Sequence, residues 1–340
     1  MYVSFRRPLV CTLLISVALL FSVEGLTADG AEVVESHGYS GCIRLFNESM
    51  SVILEPNLGG RVLEYSLNGT NVLYVDPSQD GETYTPGGEK MFVSGGRFDF
   101  GPEKTGPDRT KFFYGSWKAE ITGPRSARLT SVRDEEITGI QLVRDFTLAA
   151  EGSRLDITQT IINISNEVKK HYYWSRTFAV GGGVTVVPLA EFSRYPKGFI
   201  YYEPARSPKY MNFRPDLHDG MKHVQDEYLT IAKTPPFPKF VVDSTAGWLA
   251  YITRDNQLFL KTYKTYPERA YGDMTSTTAS IWQVDDRTEI EPIGPSEFIE
   301  PGEKASYSVS WWLFPYDYPG DSGDIDFKIL SDFKSKHTSQ

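Results

Sequence analysis

Cysteine is nearly absent from this chain of 340 residues, which has two, Cys11 and Cys42. Cys11 lies in an N-terminal apolar run, so Cys42 is left alone; a disulfide framework, a CxxC redox pair and a cysteine-held zinc are all excluded. Histidine is scarce as well, with five in all, and no two stand at an established metal-ligand spacing. Positive charge is outnumbered, with 35 Lys and Arg against 44 Asp and Glu and a formal net charge of −9. Such a surface repels nucleic acid and anionic membranes as a whole. No apolar run reaches the roughly 20 residues that a membrane-spanning helix needs. There is no phosphate-binding glycine loop ending in Lys-Ser/Thr and no G-x-S-x-G elbow. Before residue 320 no segment keeps a 3.6-residue apolar period over three turns, and there is no internal repeat.

What the chain has instead is aromatic residues and turn formers. There are 20 Tyr, 20 Phe and 6 Trp beside 29 Gly and 21 Pro. Aromatic side chains suit half-buried pleated surfaces, and Gly and Pro punctuate the turns between them. The period-two signal is explicit in several places. Leu155, Ile157 and Ile161 alternate with Asp156, Thr158 and Thr160, and Ala305, Tyr307, Val309, Trp311 and Leu313 alternate with serines. Asn68-Gly69 between two apolar stretches predicts a tight hairpin. With 40% hydrophobic residues, the chain can bury a large core without covalent staples. An all-β protein of antiparallel strands is expected.

The N-terminus reads as an export signal. Arg6 and Arg7 precede an apolar run over 9–23, and small residues follow at Gly25, Ala28 and Gly30. Cleavage after Gly25, or at Ala28 or Gly30, predicts a secreted or periplasmic protein with no membrane contact after processing. Residues 26–41 are polar and predict a flexible lead-in. Residues 42–318 predict one β domain, and 319–340 a tail with a short helix over 324–335. Residues 203–239, rich in Pro, Lys and Asp, predict a long loop. His218 and His223 within it, near Asp216, Asp219 and Asp226, match no ligand pattern, so a solvated loop is expected rather than a metal site. His37 and His337 are expected to be unstructured.

Three stretches combine charge with aromatic residues or tight turns. In Gly95-Gly96-Arg97-Phe98-Asp99-Phe100-Gly101-Pro102-Glu103, the glycines allow a tight turn or a close ligand approach and put Arg97, Asp99 and Glu103 at one rim. A hairpin with a surface salt bridge is the other reading. In His171-Tyr-Tyr-Trp-Ser-Arg-Thr-Phe178, strand alternation puts His171 and Tyr173 on one face and Tyr172, Trp174 and Arg176 on the other. An aromatic-Arg platform suits a sugar, with rings stacking on C–H faces and the guanidinium donating to hydroxyls or carboxylates. A core Trp beside a buried Arg pair is the alternative. In Thr288-Glu-Ile-Glu-Pro-Ile-Gly-Pro295, Glu289 and Glu291 share one strand face. They are either an exposed outer pair or a cleft pair in which burial makes one carboxyl a usable base; the Pro-Gly-Pro run predicts a turn.

The order of these motifs resembles the aldose 1-epimerases (galactose mutarotases). Pro56-Asn-Leu-Gly-Gly-Arg-Val, Asn163-Ile-Ser-Asn, Glu289-Ile-Glu-Pro and Ile299-Glu-Pro-Gly-Glu-Lys carry the likeness. Trp174-Ser-Arg-Thr, Val187-Pro-Leu, Ser193-Arg-Tyr-Pro-Lys-Gly and Glu291-Pro-Ile-Gly-Pro more closely resemble an uncharacterised family of secreted bacterial proteins in the same superfamily. The resemblance implies an antiparallel supersandwich with a sugar bound across a concave face and no cofactor. It implies a strand glutamate as base, Glu291 or, with the register slipped by two, Glu289. The histidine acid of mutarotases falls near Arg176 here, with His171 five positions early, and Arg cannot act as an acid at neutral pH. Arg61, Arg97, Asp99, Glu103, Tyr172, Trp174 and Arg176 are the expected ligand contacts, and Glu291, Glu289 and His171 the expected catalytic groups. The predicted function is an exported carbohydrate-active protein for a sugar, acidic or oxidised, acting as an epimerase or a lyase. The alternative is a non-catalytic carbohydrate-binding or accessory protein of polysaccharide utilisation.

Overall fold

The computed structural model describes residues 1 and 29–337, apart from 86, 89–91, 104, 203–210, 226, 273–274 and 322–323. Except for residue 1, the expected export signal lies outside the described residues. Among those residues, two antiparallel sheets account for the fold, one of twelve strands and one of ten. The larger sheet runs from Gly30–Ser36 at one edge through Arg61–Leu67 and Gly96–Gly101 to a central Lys169–Val180 strand. It continues through Arg287–Ile299, Ala279–Gln283, Lys239–Val242 and Phe199–Tyr202 to Met211–Asn212. In the smaller sheet, Lys304–Pro315 lies between Gln257–Tyr263 and Leu155–Asn163.

Alternation decides which side of each strand is core. Tyr307, Val309, Trp311 and Leu313 are buried on Lys304–Pro315, opposite Leu155 and Ile157 on the neighbouring strand. From the larger sheet, Phe98, Phe100, Tyr173 and Ile290 pack into the same core. At its centre the rings of Tyr65, Phe259 and Trp311 lie 5.4 to 5.7 Å apart, two of the three contacts edge-on. The residues between those core positions, Arg97, Asp99, Arg176, Glu289 and Glu291, must therefore point to the opposite face of the larger sheet.

The Asn68-Gly69 hairpin is present between Arg61–Leu67 and Thr70–Asn71, with φ of 51° and 82° at its two turn residues. Both values are positive, as a two-residue turn matching the strand twist requires.

Several expectations need correction. Residues 30–36, placed in a flexible lead-in, form an edge strand paired with Tyr39–Phe46 through a turn at His37-Gly38. His37 is thus ordered, with Asp80 3.2 Å from its Nδ1. A solvated edge strand is polar by necessity, and this is why its composition reads as loop. The 203–239 excursion, in its described part, contains Met211–Asn212, Met221–Val224 and Tyr228–Ile231; it supplies an edge strand to each sheet. His218 and His223 pack against the rings of Tyr201 and Phe199 instead of lying in solvent. Pro292-Ile-Gly-Pro295 makes no turn: Arg287–Ile299 runs straight through it. An irregularity in the pairing between Tyr172 and Trp174 takes up Gly294 and Pro295, while Pro292 lies opposite Ala279. The C-terminal helix spans Phe327–His337.

Candidate functional site

Five neighbouring strands bring charged side chains together on the polar face of the larger sheet. Gly96–Gly101 contributes Arg97 and Asp99, the central strand Arg176, Arg287–Ile299 the two glutamates, Ala279–Gln283 Ser280, and Lys239–Val242 Lys239. Arg97 and Arg176 are directly opposite across their strand pair, as are Ser280 and Glu291. Arg109, just before the short Thr110–Phe113 helix, reaches in from the loop.

Arg176 is the hub. Its Nε donates to Glu291 Oε1 at 2.8 Å, and its terminal nitrogens lie 3.2 Å from Asp99 and 3.4 Å from Glu103. Asp99 also accepts from Arg109 at 2.9 Å. Glu291 Oε2 accepts from Lys239 and from Ser280, each at 2.7 Å. Beneath these groups Trp174 is 3% exposed. The Arg176 guanidinium and the Lys239 ammonium lie 4.9 and 5.2 Å from its ring centre, an attraction strengthened by the exclusion of water.

The two glutamates differ sharply in environment. Burial raises the pKa of Glu291, but Lys239 and Arg176 more than offset it, and the net shift is downward. Glu291 is a fixed anion with its oxygens occupied. Glu289 is also raised by burial, then further by the charge of Glu291, and the partial relief from Arg176, Lys239 and Arg97 leaves it at about 7. Its nearest cation, Lys239, is 3.7 Å away. A carboxyl poised near neutrality beside one held ionised is the arrangement from which proton transfer is built. Arg176 is shifted upward: burial opposes its charge, but Asp99, Glu289, Glu291 and Glu103 outweigh that effect. It can hold charge and orient a ligand but cannot give up a proton.

An open cavity of about 570 Å³ lies at the arginine side of this cluster, with Arg97, Glu103, Arg109, Phe113, Tyr114 and Arg176 among its walls; the two glutamates and Lys239 are not wall residues. Of the expected residues, Arg97 stands opposite Arg176 without an ion pair of its own among the described residues, and Asp99, Glu103, Arg176, Glu289 and Glu291 belong to one connected group. Arg61 does not. It is 1% exposed and closed in a separate network with Glu55 Oε2 at 3.2 Å, Gln79 and the Tyr39 hydroxyl. His171 sits on the core side, its Nδ1 3.1 Å from the Gly101 carbonyl and its ring edge-on to Phe100. Burial lowers its pKa, so it is a neutral packing histidine facing away from the carboxylates. Tyr172 is wedged against Gly101, where an added Cβ would come within 1.7 Å of its ring. Tyr172 and Trp174 are therefore buried floor rather than an open stacking platform, because the cations and Tyr271 cover them. Lys239, Ser280, Arg109 and Phe113 were not singled out in sequence. Lys239 and Ser280 sit in unremarkable apolar strands, and only the sheet order makes them neighbours of Glu291.

No model of a known protein family matches the chain, and no curated protein sequence matches it. Solved structures do. A galactose mutarotase-like protein from Clostridium acetobutylicum superposes with a TM-score of 0.57 at 14% identity, covering 84% of this chain and 99% of that one. A galactose mutarotase-like protein from Lactobacillus casei gives 0.56 at 10% identity, over 81% and 100%. The Slr1438 protein of Synechocystis gives 0.56 at 14% identity, over 84% and 99%. At these identities the likeness concerns the backbone: this chain has the galactose mutarotase-like β-sandwich fold.

Proposed function

We propose that the protein is an exported carbohydrate-active protein that binds a sugar against the charged cluster and moves a proton on it through Glu289. The observation that carries this reading is the split between two carboxyls on one strand face, Glu289 raised to about 7 and Glu291 held ionised by Lys239 and Arg176. A proton-transfer group works best when its pKa is near the working pH, and Glu289 meets that condition while Glu291 does not. The assignment moves the base from Glu291, which the family likeness favoured, to its neighbour. The solved mutarotase-like neighbours support a carbohydrate ligand. Reaction at an anomeric centre or at a carbon acidified by a neighbouring carbonyl, as in an epimerase or lyase, requires such a group.

A second reading, a binding or accessory protein without turnover, is favoured by one observation. No histidine of the described residues joins the cluster, so a partner acid of the mutarotase kind is missing beside Glu289. Purified protein should be assayed for anomer interconversion on a panel of aldoses and uronates, and for unsaturated products from uronate polymers. Turnover that is lost in Glu289→Gln supports the enzyme. Binding with no turnover on any substrate supports the accessory role, and neither binding nor turnover removes the carbohydrate assignment.

A further inference from the structure

Arg97 is an anomaly within the cluster. It is 8% exposed, and its Nε is buried without a hydrogen-bond partner. Arg109 and Arg176 both hold Asp99, whereas among the described residues no carboxylate lies within ion-pair distance of Arg97. The like-charged Arg176 stands opposite it across the strand pair. Burial and that neighbour act against its charge, and the more distant Asp99 and Glu289 offset them only in part. What Arg97 touches is the ring of Phe113, 5.0 Å from the guanidinium, and Arg109 lies over the same ring at 4.8 Å. A buried guanidinium without an ion pair at contact distance is costly to keep, and this one forms part of the cavity wall.

The arrangement is what an anion-binding group looks like before its ligand arrives. We infer that the cavity receives the carboxylate of an acidic sugar and that Arg97 is the residue that binds it, an inference that rests on the carbohydrate reading above. A guanidinium presents paired N–H donors that match the two oxygens of a carboxylate. The described cluster sets four cations, Arg97, Arg109, Arg176 and Lys239, among four carboxyls, Asp99, Glu103, Glu289 and Glu291. With Glu289 carrying its proton, one added carboxylate balances the group, whereas a phosphate dianion adds a second negative charge beside the same carboxyls.

The test is titration calorimetry on the full chain with galactose and glucose, their uronates and their 6-phosphates, in the wild type, Arg97→Gln and Arg97→Lys. The expected result is uronate binding at least about tenfold tighter than the matching neutral sugar in the wild type. In Arg97→Gln that ratio should fall to about one with neutral-sugar affinity kept, and Arg97→Lys should retain part of it. Melting temperature is read in parallel, and that of Arg97→Gln should be unchanged or higher, because an unpaired buried charge is removed. Equal wild-type affinity for uronate and neutral sugar, or a uronate preference that survives in Arg97→Gln, overturns the inference while leaving the carbohydrate reading intact. A preference for the 6-phosphates overturns the choice of carboxylate. A lowered melting temperature with loss of every sugar overturns the ligand role, making Arg97 a structural residue. No binding by any sugar of the panel sinks the carbohydrate reading and the inference with it.

Discussion

Glu289 and Glu291 stand two residues apart on one face of the Arg287–Ile299 strand, yet the sheet shifts their carboxyl pKa values in opposite directions, Glu289 up and Glu291 down. Lys239 is 2.7 Å from Glu291 and 3.7 Å from Glu289. Arg176 and Ser280 donate to Glu291 and to no atom of Glu289. Each added donor lowers the cost of charge on Glu291, and each charge fixed there raises the cost of a second one on its neighbour.

Glu291→Gln should destabilise the protein strongly, because it leaves the largely buried Arg176 and Lys239 facing a neutral group in place of a fully buried carboxylate. Breaking one partner of a buried ion pair typically costs about 3–5 kcal/mol. Urea unfolding followed by near-ultraviolet dichroism measures it, and a loss below about 1 kcal/mol, the range of exposed pairs, contradicts the network described here.

Glu289→Gln should behave differently and in a pH-dependent way. A carboxyl whose folded pKa is raised contributes stability below its unfolded pKa and loses it as pH rises through the folded value. With the folded value at about 7, the wild type loses stability from this group between roughly pH 4 and pH 7. The advantage of Glu289→Gln over the wild type should therefore grow across that window, by up to about 3 kcal/mol. Melting temperatures of both proteins at pH 5 and pH 8 provide the comparison, and a difference that is constant with pH contradicts it.

Lys261→Met should stabilise the fold at neutral pH. Lys261 is fully buried in the inter-sheet core, donates to the Ile290 carbonyl at 2.8 Å and lies 4.8 Å from the Trp311 ring centre. Burial drives its pKa well down. Below the unfolded lysine pKa the folded state must give up a proton or carry a buried charge, and Met does neither. Apolar replacement of buried charges has been neutral or stabilising by about 1–4 kcal/mol. A lower urea midpoint for Lys261→Met means instead that the hydrogen bond to the glutamate-bearing strand outweighs the cost of burial.

Gly101→Ala should cost on the order of 2 kcal/mol or more, because a Cβ there would meet the Tyr172 ring at 1.7 Å with Gly272 closing its other side. Tyr172→Leu in the same chain should recover part of the loss, and the double-mutant cycle reads the coupling. Additive losses contradict this packing.

Much of this architecture is legible in single stretches of sequence. The alternation over 305–313 reports a strand with one buried face because burial and pleat share a period of two. The same logic puts Glu289 with Glu291 and Tyr173 apart from Arg176. What a strand read alone does not reveal is its neighbour. Lys239 reaches Glu291 only because Lys239–Val242 and Ala279–Gln283 are adjacent in the sheet, and nothing local to Lys239-Phe-Val-Val marks that order. Arg61 and His171 mislead for the same reason: both are chemically apt, but one is consumed by Glu55 and Gln79 and the other faces the core. The polar edge strand at 30–36 is missed because an edge facing water has the composition of a loop.

The central claim is that Glu289 moves the proton. The pH dependence of anomer exchange, followed by NMR on a sugar that the protein binds, tests it most directly in the wild type and Glu289→Gln. The account predicts a wild-type rate that changes with an apparent pKa near neutrality, and a loss of about 100-fold or more in Glu289→Gln together with that pH dependence. Exchange that proceeds in Glu289→Gln at the wild-type rate, with the same pH profile, contradicts it.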